Sequence, residues 1–569
     1  MAPLKDLSPD RLYKRLFVLL CLAFLAVILY AQKDFGITWD ERMQGHYGKL
    51  VLRYFYSGGT NQDFLNFTDT MHFYGGLFDA LTGTVYSLLF DSFPNFVRGE
   101  LHDTLKGLSR QDLWGSGYYE TRHVINALTG FLAIVFTGLA ARTLGSWRTG
   151  CLAFLLLVLT PPFLGHSINN PKDIPFATAY IASLYFILRL IREFPKIRIS
   201  TSAWTALAIA AAINMRIGGI LILFLLGLFT GSGWLLAWHR GEPHPPLLRL
   251  LGAMVLITAA GYFGGLLAWP YGLMDPLRNP LRALQSMSHF IGAEGKLLFE
   301  GKMLLTSGLP WYYIPKWILI SCPIAFPSGL LMLALFTAAR RPPLALRFMG
   351  MLAFAAIFPW AYAVFKGAIL YDSWRHFLFI YPPLVILAAA GWEALLEASG
   401  KRKFFYLTTA LWLLCMAEPA IWMIRNHPYY SVYFNKLVGG LPNAQYNYET
   451  DYWGNSVREA SEWIGHYHLK HHPDEMAIVG SNASYSSSFQ FLRAILGDRY
   501  LPYDPLPPNL KAKYRMNYYI VITRGVKKKD LMNGGWPPPR TIYEVKADGV
   551  TLCAVVDLHE PAAEPPKMS

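Results

Sequence analysis

Charge is what this sequence has least of. Asp, Glu, Lys and Arg supply 15% of its 569 residues, against roughly 25% in soluble globular domains. With 53% apolar residues, that shortage excludes an ordinary soluble enzyme and points to a membrane protein. Cysteine is scarce too. Cys21, Cys151, Cys322, Cys415 and Cys553 show no metal-ligand spacing. The first four lie in apolar segments and read as small core residues, so no disulfide framework is implied. No internal repeat is visible, which counts against a transporter built from paired halves. The apolar run 16–31 lacks a small-x-small cleavage site and reads as an uncleaved anchor. A basic face is also missing. The net charge of +14 is spread between apolar segments, and residues 425–569 hold 16 Lys/Arg against 14 Asp/Glu, so nucleic acid is not the expected partner.

What is present is a series of apolar segments, with 17 Trp and 33 Tyr suited to a long membrane–water perimeter. Segments long enough to span fall near 12–31, 121–141, 149–166, 175–194, 202–216, 217–238, 247–269, 313–338, 345–365, 377–397 and 404–424. Basic residues then fall on one side throughout: Lys5, Arg11, Lys14 and Arg15, then Arg142 and Arg148, Arg189 to Arg198, Arg240 and Arg249, Arg340 to Arg347, and Lys401 to Lys403. An odd count with a cytoplasmic N-terminus is expected. The segment 71–90 contains Gly75, Gly76, Asp79 and Gly83 and is expected to lie amphipathically along the outer membrane surface.

The expected organisation is a mainly α, polytopic membrane domain, 1–424, with outer loops 32–118 and 270–312. The second loop carries a surface helix near 280–291. Residues 425–569 form a small soluble α/β domain on the outer side. It has helices near 456–468 and 487–496, strands near 476–479, 518–522 and 550–558, and a disordered tail in the last ten residues.

Ionisable residues at membrane edges are functional candidates. On the outer side these are Asp40, Glu41, Glu120, Arg122, His123, Lys172, Asp173, Arg216, Lys316, Lys366, Asp372, Arg375 and His376. They come from distant parts of the chain and end at one membrane level. The alternatives are a helix cap or solvated loop for Asp40-Glu41 and snorkelling for Lys316 and Lys366. His466, His468, His471 and His472 have imidazoles suited to zinc, but no Cys or carboxylate completes a set, so a solvated helix face is expected.

Several short motifs resemble one family. Thr38-Trp39-Asp40-Glu41 follows an apolar helix, Tyr74-Gly75-Gly76-Leu77-Phe78 opens a surface helix, and Glu120-Thr121-Arg122-His123 opens a span ending in Arg142. Asn169-Asn170-Pro171-Lys172-Asp173 and Tyr371-Asp372-Ser373-Trp374-Arg375-His376-Phe377 precede later spans. In order and topology, residues 10–425 resemble the GT-C membrane glycosyltransferases, in particular bacterial relatives of protein O-mannosyltransferases and aminoarabinose transferases.

The resemblance implies a sugar carried on a polyprenyl phosphate, a hexosyl or pentosyl transfer with inversion, and a lipid, glycan or protein acceptor at the outer face of a bacterial inner membrane. It implies Asp40, with Glu41 beside it, as the catalytic carboxylate, and Arg375, His376, Arg216 and Lys366 as the donor-phosphate site. Asp173, Lys172, Glu120 and Arg122 are further candidates. Glu41, Asp173 and His376 are the residues that could hold a divalent metal cation. The rival function is a polyprenyl-linked lipid or glycan transporter, or flippase. A non-catalytic scaffold displaying 425–569 is a further alternative, but it needs no such convergence of charges.

Overall fold

The computed structural model describes residues 9–68, 70–90, 116–288, 295–339, 346–400, 402–524 and 526–559. Lys5, Arg340, Arg341, Lys401, the tail 560–569 and parts of both loops lie outside the described residues.

Among the described residues, eight helices are long and apolar enough to cross a membrane, and counting each of two bent pairs as one span brings the number to ten. The chain is an integral multi-pass membrane protein. The helix Ile199–Met215 has 17 residues, which at 1.5 Å per residue reaches about 25 Å, at the lower limit for a span.

Two expected spans are not single helices. Trp147–Val158 and Pro161–Asn169 meet at 71°, where Pro161 and Pro162 remove backbone donors. Tyr313–Ser321 and Ala325–Ala338 meet at 113° around Cys322-Pro323. The carbonyls this second break frees are satisfied by one residue from far along the chain. Asn435 donates its side-chain amide to Leu319 O (2.7 Å) and Cys322 O (2.8 Å), and its backbone N–H to Ile320 O (2.9 Å). A break at membrane depth persists only when its backbone groups are re-paired in this way.

Contacts between helix ends define two poles. At one, the Trp147 N–H donates to Asp10, Arg148 Nε lies 2.8 Å from Glu393, and Arg347 lies 3.6 Å from Glu242. The other pole gathers the end of Pro9–Ala31 and the starts of Ser116–Leu144 and Asp173–Arg192. The end of Ile199–Met215 and the start of the Arg375–Ala398 segment join them there. The segment 71–90 contains no helix long enough to count among these spans. It forms a one-turn helix Met71–Phe73 and the 14-residue helix Leu77–Phe90. Its amphipathy is the reverse of a surface helix with a polar outer face: Asp79 is buried, and Leu81, Leu88, Leu89 and Phe90 are exposed. Gly75 is required where this segment passes the helix end at Asn214, because a Cβ there would stand 1.7 Å from Asn214 O.

The loop after Trp269 contains the surface helix Arg278–Ser288 and a hairpin, Lys296–Phe299 with Lys302–Leu305, that sequence patterning missed. Beyond residue 425, the chain first packs into the site pole and then forms a five-stranded sheet. Its strand order is Tyr500–Pro502, Ala477–Ser481, Tyr518–Ile522, Val550–Asp557, Thr541–Ala547. The first three strands are parallel and the last two antiparallel. The helices Val457–His471 and Tyr485–Leu496 pack together beside this sheet. All five cysteines are free.

Candidate active site

Asp40 is the residue just before the helix Glu41–Tyr56, yet its side chain makes no capping hydrogen bond. Its carboxylate is 29% exposed and points to two cations, with Oδ2 3.8 Å from Lys172 Nζ and 3.7 Å from Arg375 Nη1. Among the described residues Oδ1 has no partner. Glu41 turns the other way. It is wholly buried, accepting from the Thr38 N–H (2.8 Å) and hydroxyl (3.2 Å) and lying 3.0 Å from His123 Nε2.

Arg375 is held in place by three carboxylates. Its Nε and Nη2 meet Asp372 at 3.0 Å, and its Nη1 reaches Asp173 at 3.3 Å and also faces Asp40. Its side chain is 4% exposed and lies over the rings of Trp453 and Tyr371. The turn that presents it is strained: Asp372 and Ser373 both have positive φ, 54° and 63°. Two consecutive non-glycine residues in that region cost about 1–3 kcal/mol each and cluster at functional sites. Asp372 is also met from the C-terminal region by Arg524 at 2.8 Å. Asp173 pairs with Arg216 and accepts from the Asn170 amide (2.8 Å). The Asn170 side-chain oxygen in turn accepts the Asp173 N–H (3.0 Å).

Three carboxylates (Asp40, Asp173 and Asp372) therefore meet four cations (Lys172, Arg216, Arg375 and Arg524). One positive charge is left over, which favours an anion. Lys172 lies over the Tyr74 ring at 4.6 Å. Burial pushes its ammonium pKa down, but Tyr74 and Asp40 more than offset this and leave it raised.

Beside this cluster opens a cavity of about 580 Å³. Lys172, Arg216 and His376 line it as basic residues, with Tyr74 and Tyr371 near them. Ile217, Leu221, Phe224, Leu284, Met287 and Phe358 are among its apolar walls. The surface helix Arg278–Ser288 supplies Leu284 and Met287 to this wall.

Not all of the expected site residues gather at the cavity. Arg375, expected to grip a phosphate, is occupied by carboxylates and does not line the cavity. Lys366 is exposed near the Tyr362 ring and does not line it either. Glu120 is exposed and takes no part in the cluster. Arg122 is wholly buried on Asp79 (2.7 Å), Thr82 and Tyr118, where it locks the helix Leu77–Phe90 to Ser116–Leu144. Glu41, Asp173 and His376 do not fit a common metal site, because Glu41 is spent on Thr38 and His123, and Asp173 on Arg216, Arg375 and Asn170.

Sequence reasoning missed Arg524, which carries no local signal. It also missed how residues 452–455 roof the site. Trp453 Nε1 donates to the Asn169 side chain (3.2 Å), Tyr452 bonds His166 (3.1 Å), and Asn169 donates to Gly36 O and to Asn455. Asp451 organises this turn by accepting the backbone N–H groups of Gly454, Asn455 and Ser456.

No family model matches this sequence, and no curated protein matches it. Among solved structures, the chain is similar to ArnT from Cupriavidus metallidurans bound to undecaprenyl phosphate, with 15% identity and a TM-score of 0.47, covering 95% of this chain and 98% of that one. It is also similar to the oligosaccharyltransferase AglB from Archaeoglobus fulgidus in complex with an inhibitory peptide and a dolichol-phosphate. Here identity is 15% and the TM-score 0.46, covering 90% and 70% of the two chains.

Proposed function

We propose that this chain is a membrane glycosyltransferase of the GT-C type. It moves a sugar from a polyprenyl-phosphate donor to an acceptor hydroxyl on a lipid, glycan or protein. The supporting observation is a half-open carboxylate, Asp40, standing beside the cationic end of an otherwise apolar cavity.

In this reading the isoprenoid chain lies along Ile217, Leu221, Phe224 and Phe358, and the phosphate meets Lys172, Arg216 and His376. Arginine and lysine stabilise the negative charge that grows on a departing phosphate. Asp40 accepts the acceptor's hydroxyl proton as its oxygen attacks the anomeric carbon. The new glycosidic bond forms as the bond from the anomeric carbon to the phosphate oxygen breaks, and attack from the opposite face inverts the configuration. Arg375, with Asp372 behind it, is a positioning residue that fixes Asp40 and Asp173. The site pole faces the outside of a bacterial inner membrane, and residues beyond 425 roof it.

The test is transfer by purified protein in lipid, with a set of polyprenyl-phosphate sugars as donors and membrane extract as acceptor. Wild type transfers sugar and a folded Asp40→Asn protein does not. Equal transfer by both removes Asp40 from the chemistry. Movement of the lipid across the bilayer with no transfer makes the chain a polyprenyl-linked lipid or glycan flippase instead.

A further inference from the structure

Outside the site at the helix ends, three side chains of the C-terminal region converge. His472 follows directly on the helix Val457–His471, Glu475 lies three residues further on, and His559 follows the strand Val550–Asp557. One ligand atom from each lies within 4.8 Å of the others. His472 Nδ1 is 3.5 Å from Glu475 Oε1, and His559 Nε2 is 3.8 Å from Glu475 Oε2. Both distances are too long for hydrogen bonds. The two imidazoles lie parallel, with centroids 4.2 Å apart and planes 6° apart.

His559 shows what the cluster is arranged to do. Its Nδ1 is 2.6 Å from Asp557 Oδ1, and its Nε2 is buried with no hydrogen-bond partner. A carboxylate on one imidazole nitrogen fixes the tautomer so that the other nitrogen offers its lone pair, the arrangement that supports metal-bound histidines. Simple ion pairing would instead bring one ring nitrogen into hydrogen-bond range of Glu475, and neither histidine does this. His468 stands close by but is already committed, with Nδ1 to the Tyr518 hydroxyl (3.2 Å) and Nε2 to Glu475 O (3.1 Å). That second bond holds the Glu475 backbone in place.

We propose that His472, Glu475 and His559 bind a divalent transition-metal ion of the zinc type, with Asp557 orienting His559. Two imidazoles and one carboxylate suit zinc, cobalt or nickel better than magnesium or calcium, which prefer all-oxygen sites. The Glu475 side chain is 55% exposed, so the fourth coordination position opens to solvent. The bound ion ties the end of the helix Val457–His471 to the end of the strand Val550–Asp557. Both ends therefore gain stability when metal is present. The carboxylate that a helix-face view of the histidines lacks is Glu475, and the second imidazole comes from 87 residues beyond His472 in the chain.

The experiment uses the full chain in lipid nanodiscs, purified on a histidine-free tag and stripped with a chelator. Co²⁺ is titrated and followed by its visible ligand-field absorption, then displaced with Zn²⁺. Wild type takes up one Co²⁺ per chain with the absorption of a low-coordinate nitrogen and oxygen site, and Zn²⁺ abolishes the signal. His559→Ala and His472→Ala weaken binding at least tenfold, and Asp557→Asn weakens it by about 10–100-fold. His466→Ala, on the exposed face of the same helix, leaves it unchanged. Circular dichroism of the metal-free proteins checks folding, and the half-exposed Glu475→Gln takes over if a histidine variant does not fold. Absence of cobalt uptake by wild type, or equal uptake by wild type and a folded His559→Ala protein, overturns the proposal. Asp40→Asn binds metal like wild type, so this outcome is independent of the transfer assay.

Discussion

Two ionic clusters form at the same pole of the helix bundle, and they differ in what is left over. In the first, Asp79 meets Arg122 and Glu41 meets His123, with Arg122 and Glu41 wholly buried. In the second, Asp40, Asp173 and Asp372 meet Lys172, Arg216, Arg375 and Arg524, and the cluster borders a cavity. The closed cluster cements short helices to long ones. The open one keeps an uncommitted carboxylate oxygen and an excess of positive charge. Adjacent residues fall on opposite sides of this division, since Asp40 belongs to the open cluster and Glu41 to the closed one. A charge at a membrane edge therefore signals a special environment without saying whether it serves cohesion or chemistry.

The sharpest way to separate the clusters is to substitute one member of each. Asp40→Asn should lower transfer by about 10²–10⁴-fold, the usual contribution of a general base, with an unchanged melting temperature. Arg122→Met should do the reverse. It strands Asp79 in the interior at a cost of about 3–5 kcal/mol, seen as a lowered melting temperature, and activity falls only as far as the folded fraction does. If Arg122→Met melts like wild type, the first cluster is not cohesive in the sense argued.

Asn435→Leu tests the connection between the two halves of the chain. It removes both side-chain bonds to the broken helix and should cost about 1–3 kcal/mol for each buried carbonyl left unpaired, read from thermal unfolding in detergent.

A pH-dependent effect is expected at Glu449, outside the spans. Burial, and then the neighbouring Asp372 charge, push its pKa up from 4.5 to about 8 against the pull of Arg524. The unfolded chain releases this proton near 4.5 and the folded chain keeps it until about 8. Stability is thus fully present below pH 4.5 and is lost as pH rises towards 8. Glu449→Gln should flatten that part of the stability–pH curve, and an unchanged slope would remove Glu449 as its source. The smallest effects belong to Lys366→Ala and Glu120→Gln. Both residues are exposed and apart from the cavity, so stability should move by less than about 0.5 kcal/mol and transfer should stay at the wild-type rate.

The apolar runs, the basic residues between them and the later strand patterns were readable because each depends on near neighbours in the chain. Lipid or a packed interior requires apolar length, and helix and strand each impose a period on it. Thr38-Trp39-Asp40-Glu41 was likewise visible as a carboxylate pair at a helix mouth. Its division was not, because which carboxylate faces His123 and which faces Lys172 depends on the rotation of one helix against two others. Arg375 shows the same limit. The sequence offers a phosphate-binding fork, whereas the fold surrounds it with carboxylates from residues 40, 173 and 372.

Composition and periodicity by themselves determined a helical membrane protein with a mixed α/β C-terminal region and a pole rich in ionisable groups. Only the tertiary structure decided which of those groups neutralise one another, that Asn435 repairs a helix broken more than 100 residues earlier, and that His559 meets His472 and Glu475. Apolar burial is summed over short windows of sequence and survives local reading. Pairing of buried charges is settled atom by atom, at distances near 3 Å, between segments that share no local sequence.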